Sequence, residues 1–245
     1  MNKNTVLFVE PRILANCCSI LNHFVTVLGP NWNYVFYCGE NTKEYWEQSY
    51  LNKKYELREL EVINFNKPSE YSDFLKSKNL WESLTGDFVL VAQLDTWIFN
   101  NKNYTIDYFI KLNKSYIGGN MIYPWHEFKR ENINFNYYNF NGGLSLRKRI
   151  DMIQIINAFP PEHTYSNSNV LVRNINSDAE DVYFTLGCYY LGLPIGNDEE
   201  SSHFALHTIF KDEFFGIHQP CEKIKHKINE LYPDLKMLNP FLKLN

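Results

Sequence analysis

The sequence predicts an α/β fold in which helices flank a mixed, mainly parallel β-sheet. The chain opens with an apolar strand, an amphipathic helix and a second strand, an order that normally gives adjacent parallel strands joined by a right-handed crossover. Further along, 88–92 is apolar at every position, which is typical of a strand buried on both faces. Gln93 and Asp95 follow this run, and open α/β sheets bind their ligands beyond the carboxyl ends of the strands.

The first half of the chain alternates between predicted strands and helices. Apolar residues at three- and four-residue spacing predict the helices, and Gly29 and Pro30 close the first one. The first strand stops at Pro11, which has no N–H to donate to a sheet. The predicted elements are, in order, a strand at 5–9, a helix at 12–28, strands at 34–38 and 57–60, a helix at 71–84 and the strand at 88–92.

The second half of the chain is less regular. Two polar stretches, 128–141 and 162–176, are predicted to be long loops, and such loops in compact domains are usually functional or disordered. No repeat or linker divides the chain, so we predict a single domain over 1–245. The predicted elements are a short strand or turn at 115–119, helices at 148–159 and 177–191, and an amphipathic segment after residue 221.

The composition of the chain indicates which partners and which cellular compartment to expect. The net charge is -4 and the only dense basic cluster, Arg147–Arg149, is interpreted as a solvated helix start, so we expect no nucleic-acid partner. The five cysteines show no C-x-x-C pairing and leave one unmatched, which favours a reducing compartment. No apolar run reaches membrane-spanning length, so we expect no transmembrane segment and a cytoplasmic location.

The Gln93-x-Asp95 pattern is the first candidate site. Two residues apart on extended backbone, both side chains point to one face. A carboxylate beside an amide suits a divalent cation such as Mg²⁺, which keeps water and ligand phosphates in its other positions. The alternative is that Asp95 caps the following turn, and an isolated pattern of this kind favours that interpretation.

Two further stretches have both a functional and a structural interpretation. Arg12 is predicted to pair with a phosphate or with the carboxylate of Glu10 at the end of the first strand. The glycines of Asn141-Gly142-Gly143 permit positive φ and close approach to a ligand, whereas the same Asn-Gly step is a strong signal for a hairpin turn.

Taken together, several motifs resemble those of a known family. The chain is similar to the family of GT-A-like glycosyltransferases catalogued as a domain of unknown function, over about residues 6–218. The resemblance implies a GT-A-like, Rossmann-like fold and the transfer of a sugar from a nucleotide-sugar donor, in particular a UDP-sugar, to a glycan or other hydroxyl acceptor. The motifs are VEPR (9–12), FVLVAQLDTWIF (88–99), YIGGN and PW (116–125), FNGGLSLRKR (140–149) and EDVYF (180–184).

The resemblance also implies a metal-assisted donor site. Asp95 stands where the last carboxylate of a D-x-D motif binds Mn²⁺ or Mg²⁺, and Gln93 replaces the first carboxylate. His218 stands where many GT-A enzymes place a histidine that completes the metal site, although a lone histidine near a turn is often structural. Asn141, Gly142 and Gly143 match the segment that borders the donor sugar, and Glu10 and Arg12 lie on the nucleotide-base side.

Glu180-Asp181 resembles the acidic motif of inverting transferases, in which a carboxylate deprotonates the acceptor hydroxyl. Attack at the anomeric carbon requires such a base on the face opposite the leaving group. Ser177-x-x-Glu180 is also a capping box, which gives Glu180 a structural interpretation. Asp181 is therefore the better base candidate.

Two other functions compete with this one. A non-catalytic nucleotide-sugar- or glycan-binding protein on the same fold is favoured by the missing first carboxylate. A nucleotidyltransferase shares the metal-dependent α/β plan but normally holds its triphosphate with a glycine-rich basic loop after the first strand, and Glu10–Ile13 is not such a loop.

Overall fold

The computed structural model describes residues 3–49, 51–121, 139–161 and 179–244. The strands are β1 (Thr5–Glu10), β2 (Asn33–Cys38), β3 (Glu56–Glu59), β4 (Phe88–Ala92), β5 (Thr96–Ile98), β6 (Tyr116–Met121), β7 (Asn139–Lys148), β8 (Ala205–Leu206) and β9 (Gly216–His218). The helices are α1 (Cys17–Leu28), α2 (Lys43–Gln48), α3 (Pro68–Leu75), α4 (Lys78–Ser83), α5 (Ile106–Lys111), α6 (Arg149–Ala158), α7 (Glu180–Tyr190), α8 (Asp198–Phe204), α9 (Glu222–Leu231) and α10 (Leu235–Leu238).

The central sheet confirms the predicted fold class. Six strands lie in the order β3-β2-β1-β4-β7-β6; the first four are parallel, and β7 is antiparallel to both of its neighbours. β2 and β3 lie on one side of β1 and β4 lies on the other, so the order of the strands reverses between β1 and β4. In open α/β sheets this reversal leaves a crevice at the carboxyl ends of the two strands.

β4 is buried on both faces, as its apolar run predicts. Leu90 and Ala92 belong to the apolar cluster that includes residues of α1, whereas Val89 and Val91 belong to the cluster that includes residues of α6 and α7. This alternation follows from the two-residue period of a strand. The sheet is therefore sandwiched between two apolar layers.

The segment after β4 forms the first strand of a second sheet. It has three strands in the order β5-β9-β8, and Thr96 at the start of β5 pairs directly with His218 at the end of β9. Because Asp95 immediately precedes β5, this register brings Asp95 beside His218.

Several elements differ from their predicted bounds for local reasons. The first helix begins at Cys17 and not at residue 12, because Asn16 has left-handed backbone with φ of 65°. The predicted helix at 71–84 is two helices, α3 and α4, separated where Ser77 is extended. The segment predicted at 115–119 as a short strand or turn is a strand that runs over Tyr116–Met121.

The hairpin interpretation of Asn141-Gly142 is wrong, because both residues lie inside β7. The predicted loop at 128–141 lies outside the described residues except for its last residues, which begin β7, and the loop at 162–176 lies wholly outside them. Trp125 and Ser177 are also outside. In the described part of the chain, no helix is both long enough and apolar enough to cross a membrane.

Candidate functional site

A cleft of about 530 Å³ opens at the carboxyl ends of β1 and β4. One wall is the end of β1 and the residues after it, and another is the turn between β4 and β5. The segment before α3 and the chain around residues 241–243 complete the lining. The cleft therefore occupies the crevice that the strand order predicts, and it includes Glu10, Arg12, Gln93 and Asp95.

Glu10 and Arg12 form an ion pair at the edge of the cleft. Arg12 Nε donates to Glu10 Oε1 at 2.7 Å, and Arg12 Nη2 donates to Glu10 Oε2 at 2.9 Å. Hydrogen bonding to Glu10 raises the pKa of the Arg12 guanidinium. Of the two partners considered for Arg12, the structure gives the carboxylate, while 54% of its side chain stays exposed to solvent.

Asp95 is held by two polar neighbours. Its Oδ1 lies 3.3 Å from His218 Nε2, and its Oδ2 accepts a hydrogen bond from Gln219 Nε2 at 2.5 Å. Burial alone would raise the pKa of this carboxyl, but His218 and Gln219 outweigh it and the pKa is lowered. The turn itself is closed by Thr96, whose hydroxyl donates to the Gln93 carbonyl at 2.5 Å. Asp95 therefore presents an ionised carboxylate to the cleft.

His218 is a buried imidazole with unused hydrogen-bonding capacity. It is only 2% exposed, and neither ring nitrogen has a partner of hydrogen-bond geometry among the described residues, although Nε2 is near Asp95. Its carbonyl accepts from His207 Nδ1 at 2.9 Å, and the two rings are stacked with centroids 6.0 Å apart. Burial lowers the pKa of His207, which favours its neutral form.

These residues fit a divalent ion only if a ligand supplies part of its coordination shell. The carboxylate of Asp95 and the imidazole of His218 are chemically suited to Mn²⁺. Within the described ranges, no group of three or more His, Cys, Asp and Glu side chains is arranged to hold a metal. Magnesium-type sites commonly combine one or two protein ligands with water and substrate phosphates.

The Gly142-Gly143 step lies in an irregular part of β7. β7 pairs with β6 through Asn141 and Ser145, which face consecutive residues of β6, so the residues between them have no direct partner there. A Cβ on Gly143 would lie 2.2 Å from the His218 ring, and a Cβ on Gly142 would lie 2.3 Å from Glu180 Oε1. Neither glycine has positive φ. Close approach, and not turn geometry, therefore requires glycine at both positions.

Arg147 is fully buried and pairs with Glu180. Arg147 Nη1 lies 2.9 Å from Glu180 Oε2, and Arg147 Nη2 donates to Oε1 at 3.1 Å. Nη2 also donates to the Gly142 carbonyl at 3.2 Å, and the guanidinium lies over the rings of Tyr116 and Phe184. Burial opposes the charge of Arg147, but Glu180 outweighs it and raises the pKa.

The interpretation of this basic cluster as solvated is therefore wrong for Arg147, which has no exposed surface. Glu180 is engaged with Arg147 at the start of α7, and the residue before it, Ala179, makes no side-chain cap. The capping-box partner Ser177 lies outside the described residues. Both carboxylate oxygens of Glu180 are thus directed at Arg147.

Asp181 is a carboxyl group with unusual proton affinity. Its Oδ1 accepts from Val182 N at 2.8 Å, and its Oδ2 accepts from Gly142 N at 3.3 Å. Burial, followed by the charge of Glu180, raises the pKa of Asp181 to about 7. A carboxyl with a pKa near the working pH can accept and release a proton efficiently, as a general base must.

Tyr71 is a cleft residue that the sequence did not reveal. Its hydroxyl is buried, and its pKa is raised first by burial and then by the charge of Glu180. The nearby side chain of Gln93 acts to lower this pKa, although it does not form a hydrogen bond of good geometry with the Tyr71 hydroxyl. Tyr71 therefore stays protonated at neutral pH and keeps a donor for a ligand.

The structure brings most of the predicted site residues together around β7. Gln93 donates its backbone N–H to the Gly143 carbonyl at 2.8 Å, which joins the metal candidates to the glycine step. Trp97, which follows Asp95 by two residues, is buried and stacks on His23 at 3.6 Å between centroids, so it is a core residue. One sequence signal could have placed Arg147 in a strand: Ser145 and Arg147 alternate with apolar Leu144 and Leu146, as residues of a strand do.

Comparison with known proteins supports the fold. Residues 54–219, more than half of the chain, match the family model described as "Protein of unknown function (DUF5672)". No curated protein matches the sequence. At the identities found with solved structures, similarity shows the fold alone, which is that of GT-A glycosyltransferases.

Two solved structures illustrate this similarity. The crystal structure of S. aureus TarS 1-349 has 16% sequence identity and a TM-score of 0.51, with 96% of this chain and 64% of that chain covered. The apo-form glycosyltransferase GlyE of Streptococcus pneumoniae TIGR4 has 11% identity and a TM-score of 0.50, with coverage of 98% and 62%. This chain therefore spans less than two thirds of either protein.

Removing one partner of the Arg147–Glu180 pair should strongly destabilise the protein. Glu180→Gln leaves a buried guanidinium without its counter-charge, and we expect the free energy of unfolding in urea to fall by about 3–5 kcal/mol. Replacing both partners, with Arg147→Met and Glu180→Gln, should cost less than Glu180→Gln alone. The matched control is Glu82→Gln in the exposed Lys78–Glu82 pair, where we expect a loss of under about 1 kcal/mol. Equal losses for Glu180→Gln and Glu82→Gln would show that the buried pair contributes no more to stability than the exposed one.

Asp181 should make stability depend on pH in a defined direction. Its folded pKa of about 7 is above the ordinary value of 3.8, so the folded state retains a proton that the unfolded state has released. The stability of the wild type should therefore fall between pH 4 and pH 7 through this group and level off above it. Asp181→Asn should have a higher melting temperature than the wild type, and the difference should be larger at pH 8 than at pH 5. Each kcal/mol of stability corresponds to about 2–4 °C. The exposed Asp107→Asn serves as control, and a difference independent of pH would refute the assignment.

Proposed function

Because the chain belongs to the DUF5672 family, whose function is unknown, we propose its activity from the site: it is a glycosyltransferase that moves a sugar from a nucleotide-sugar donor to a hydroxyl acceptor. The donor class is a UDP-sugar, the reaction is inverting, and a divalent ion assists it. The GT-A fold and the position of the cleft at the strand-order reversal support this proposal.

One observation carries the proposal. The glycine step of β7 contacts two different chemical groups through adjacent residues: Gly143 faces His218, next to Asp95, and Gly142 donates its N–H to Asp181. The first group suits a cation and a diphosphate, and the second is a carboxyl poised to take a proton. Transfer of a glycosyl group needs both functions near one sugar.

In this mechanism Asp181 acts as the general base. Its carboxylate takes the proton of the acceptor hydroxyl while that oxygen attacks the anomeric carbon of the donor. The bond between the anomeric carbon and the phosphate oxygen breaks, and the nucleoside diphosphate leaves with the electron pair. The role requires the ionised form of Asp181, so its raised pKa places the onset of activity near neutral pH.

The departing diphosphate needs positive charge. Asp95 and His218 would hold Mn²⁺ or Mg²⁺, and a bound ion would stabilise the charge that develops on the leaving group. Gln93 beside Asp95 adds no charge, so the donor phosphates would have to supply the remaining ligands of the ion. The Glu10–Arg12 pair lies at the end of β1, on the side proposed for the nucleotide base.

The thiols support a proposal for the location of the protein. The cysteines at 17, 18, 38, 188 and 221 are all free. Cysteines that remain unpaired are typical of proteins kept in reducing surroundings, and we propose the cytoplasm. We assign binding of the acceptor to the polar stretches at 128–141 and 162–176, which lie almost wholly outside the described residues.

A non-catalytic nucleotide-sugar-binding protein is the second candidate. The observation in its favour is the weak metal site, with Gln93 in place of a carboxylate and no group of three metal-binding side chains among the described residues. Such a protein would bind donors without cleaving them. Slow release of free sugar from a bound donor, with water as acceptor, would exclude it.

Asp181→Asn should abolish catalysis while preserving donor binding. A positioned base contributes about 10²–10⁴-fold, so we expect kcat for donor hydrolysis to fall by at least about 100-fold while the dissociation constant of the donor changes less than about twofold. In the wild type, kcat should rise with pH through about 7 and then reach a plateau, as the carboxylate forms. Loss of donor binding in Asp181→Asn would instead give Asp181 a structural role.

Asp95→Ala should remove the metal-dependent part of nucleotide binding. A thermal-shift panel of UDP, GDP and CMP, each with and without Mn²⁺, identifies the nucleotide, since a ligand of the native state raises the melting temperature. We expect a metal-dependent rise with UDP in the wild type and little metal dependence in Asp95→Ala. Asp107→Ala should behave as wild type. An unchanged metal-dependent shift in Asp95→Ala would disprove the metal assignment.

A further inference from the structure

The segment 239–244 is anchored to the turn that carries Asp95. Asn239 is fully buried, and its Nδ2 donates to the carbonyls of Leu94 at 2.9 Å and Thr96 at 2.8 Å, which lie on either side of Asp95. Its Oδ1 accepts from Phe241 N at 3.1 Å. One side chain therefore fixes both the site turn and the start of this segment.

Lys243 is held over the cleft by its two neighbours. Leu242 and Leu244 are buried, and the Leu244 carbonyl accepts a hydrogen bond from Asn229 Nδ2 of α9 at 2.9 Å. Lys243 between them is exposed, lines the cleft, and has left-handed backbone with φ of 51°. Left-handed backbone is unfavourable for a lysine, and such conformations persist where the surrounding structure enforces them, often at ligand sites.

The cleft has an excess of positive charge. Glu10 is already paired with Arg12, and Asp95 is held by His218 and Gln219. Two more cations line the cleft, Lys67 and Lys243, and no carboxylate of the described residues pairs with either ammonium group. The chain as a whole carries a net charge of -4, so this local excess is not a general property of its surface. It favours an anionic ligand.

This part of the cleft is not accounted for by the family match, which covers 54–219. Segment 239–244 lies outside that range, yet it supplies lining residues and fixes the Asp95 turn. The buried hydroxyl of Tyr71 adds a neutral donor to the same cleft. Cationic and neutral donors on several walls suit phosphate oxygens.

We propose that segment 239–244 completes the ligand site and that Lys243 contacts the diphosphate of the bound nucleotide, with Lys67 on a second segment of the lining. With Gln93 in place of a carboxylate, the site binds a metal ion weakly. The charge of Lys243 compensates for this weak binding, because the ammonium group neutralises phosphate directly. The nucleotide part of this inference rests on the proposed function, whereas the diphosphate part does not.

Calorimetric titration of the full chain tests the inference with UDP, GDP, inorganic pyrophosphate and the nucleosides uridine and guanosine. Lys243→Ala should weaken binding of each diphosphate that the wild type binds by about tenfold, as for loss of one charge-assisted contact, and should reduce the salt dependence of binding. Nucleoside binding should not change. The matched control is Lys236→Ala, which removes an exposed lysine of α10 outside the cleft and should stay within about twofold of wild type.

The outcomes separate this inference from the proposed function. If Lys243→Ala binds UDP, GDP or pyrophosphate as tightly as the wild type does, the inference is overturned and the transferase proposal stands. Lys243-dependent binding of pyrophosphate with no binding of UDP or GDP supports the inference and contradicts the nucleotide donor. Absence of any diphosphate binding to the wild type overturns both. A melting temperature of Lys243→Ala close to that of Lys236→Ala shows that lost affinity does not come from unfolding.

Discussion

The candidate site depends on one buried ion pair, Arg147 with Glu180. Removing two charges from water is costly, and the cost is offset only where geometry and further hydrogen bonds are good. Here Arg147 also bonds Ser145 Oγ at 2.8 Å and the Gly142 carbonyl, and its guanidinium lies on aromatic rings. Since Glu180 begins α7, the pair fixes that helix against β7, and Asp181 is the next residue.

Close packing around β7 explains the other half of the site. The His218 ring and the Glu180 carboxylate both approach the backbone of β7 closer than any Cβ would allow. The irregular pairing with β6 displaces the glycine step, and such irregularities often lie next to active sites, where they redirect neighbouring groups. The second sheet then brings His218 opposite Thr96, so strand pairing and glycine packing together set the distance from His218 to Asp95.

Local patterns predicted the strands better than the site. β4 has its predicted bounds because an apolar run buried on both faces and ended by polar residues has few alternative structures. The start of α1 was missed because it depends on the left-handed conformation of Asn16, which no periodicity reveals. Arg147 was misinterpreted because charge suggested solvent, and its aromatic surroundings come from distant segments. The pairing of Asp95 with His218 was expected only through family resemblance, and Asn239 gave no sequence signal at all.

The role of Asn239 also has a consequence for biosynthesis. Until this residue leaves the ribosome, the carbonyls of Leu94 and Thr96 lack the amide that later binds them, although β1 to β4 can already pair. Chains emerge from their amino end and domains fold as units during this process. The turn that carries Asp95 therefore acquires these two hydrogen bonds only after Asn239 has been synthesised. The order of this turn thus depends on a residue that is synthesised 145 positions after Leu94.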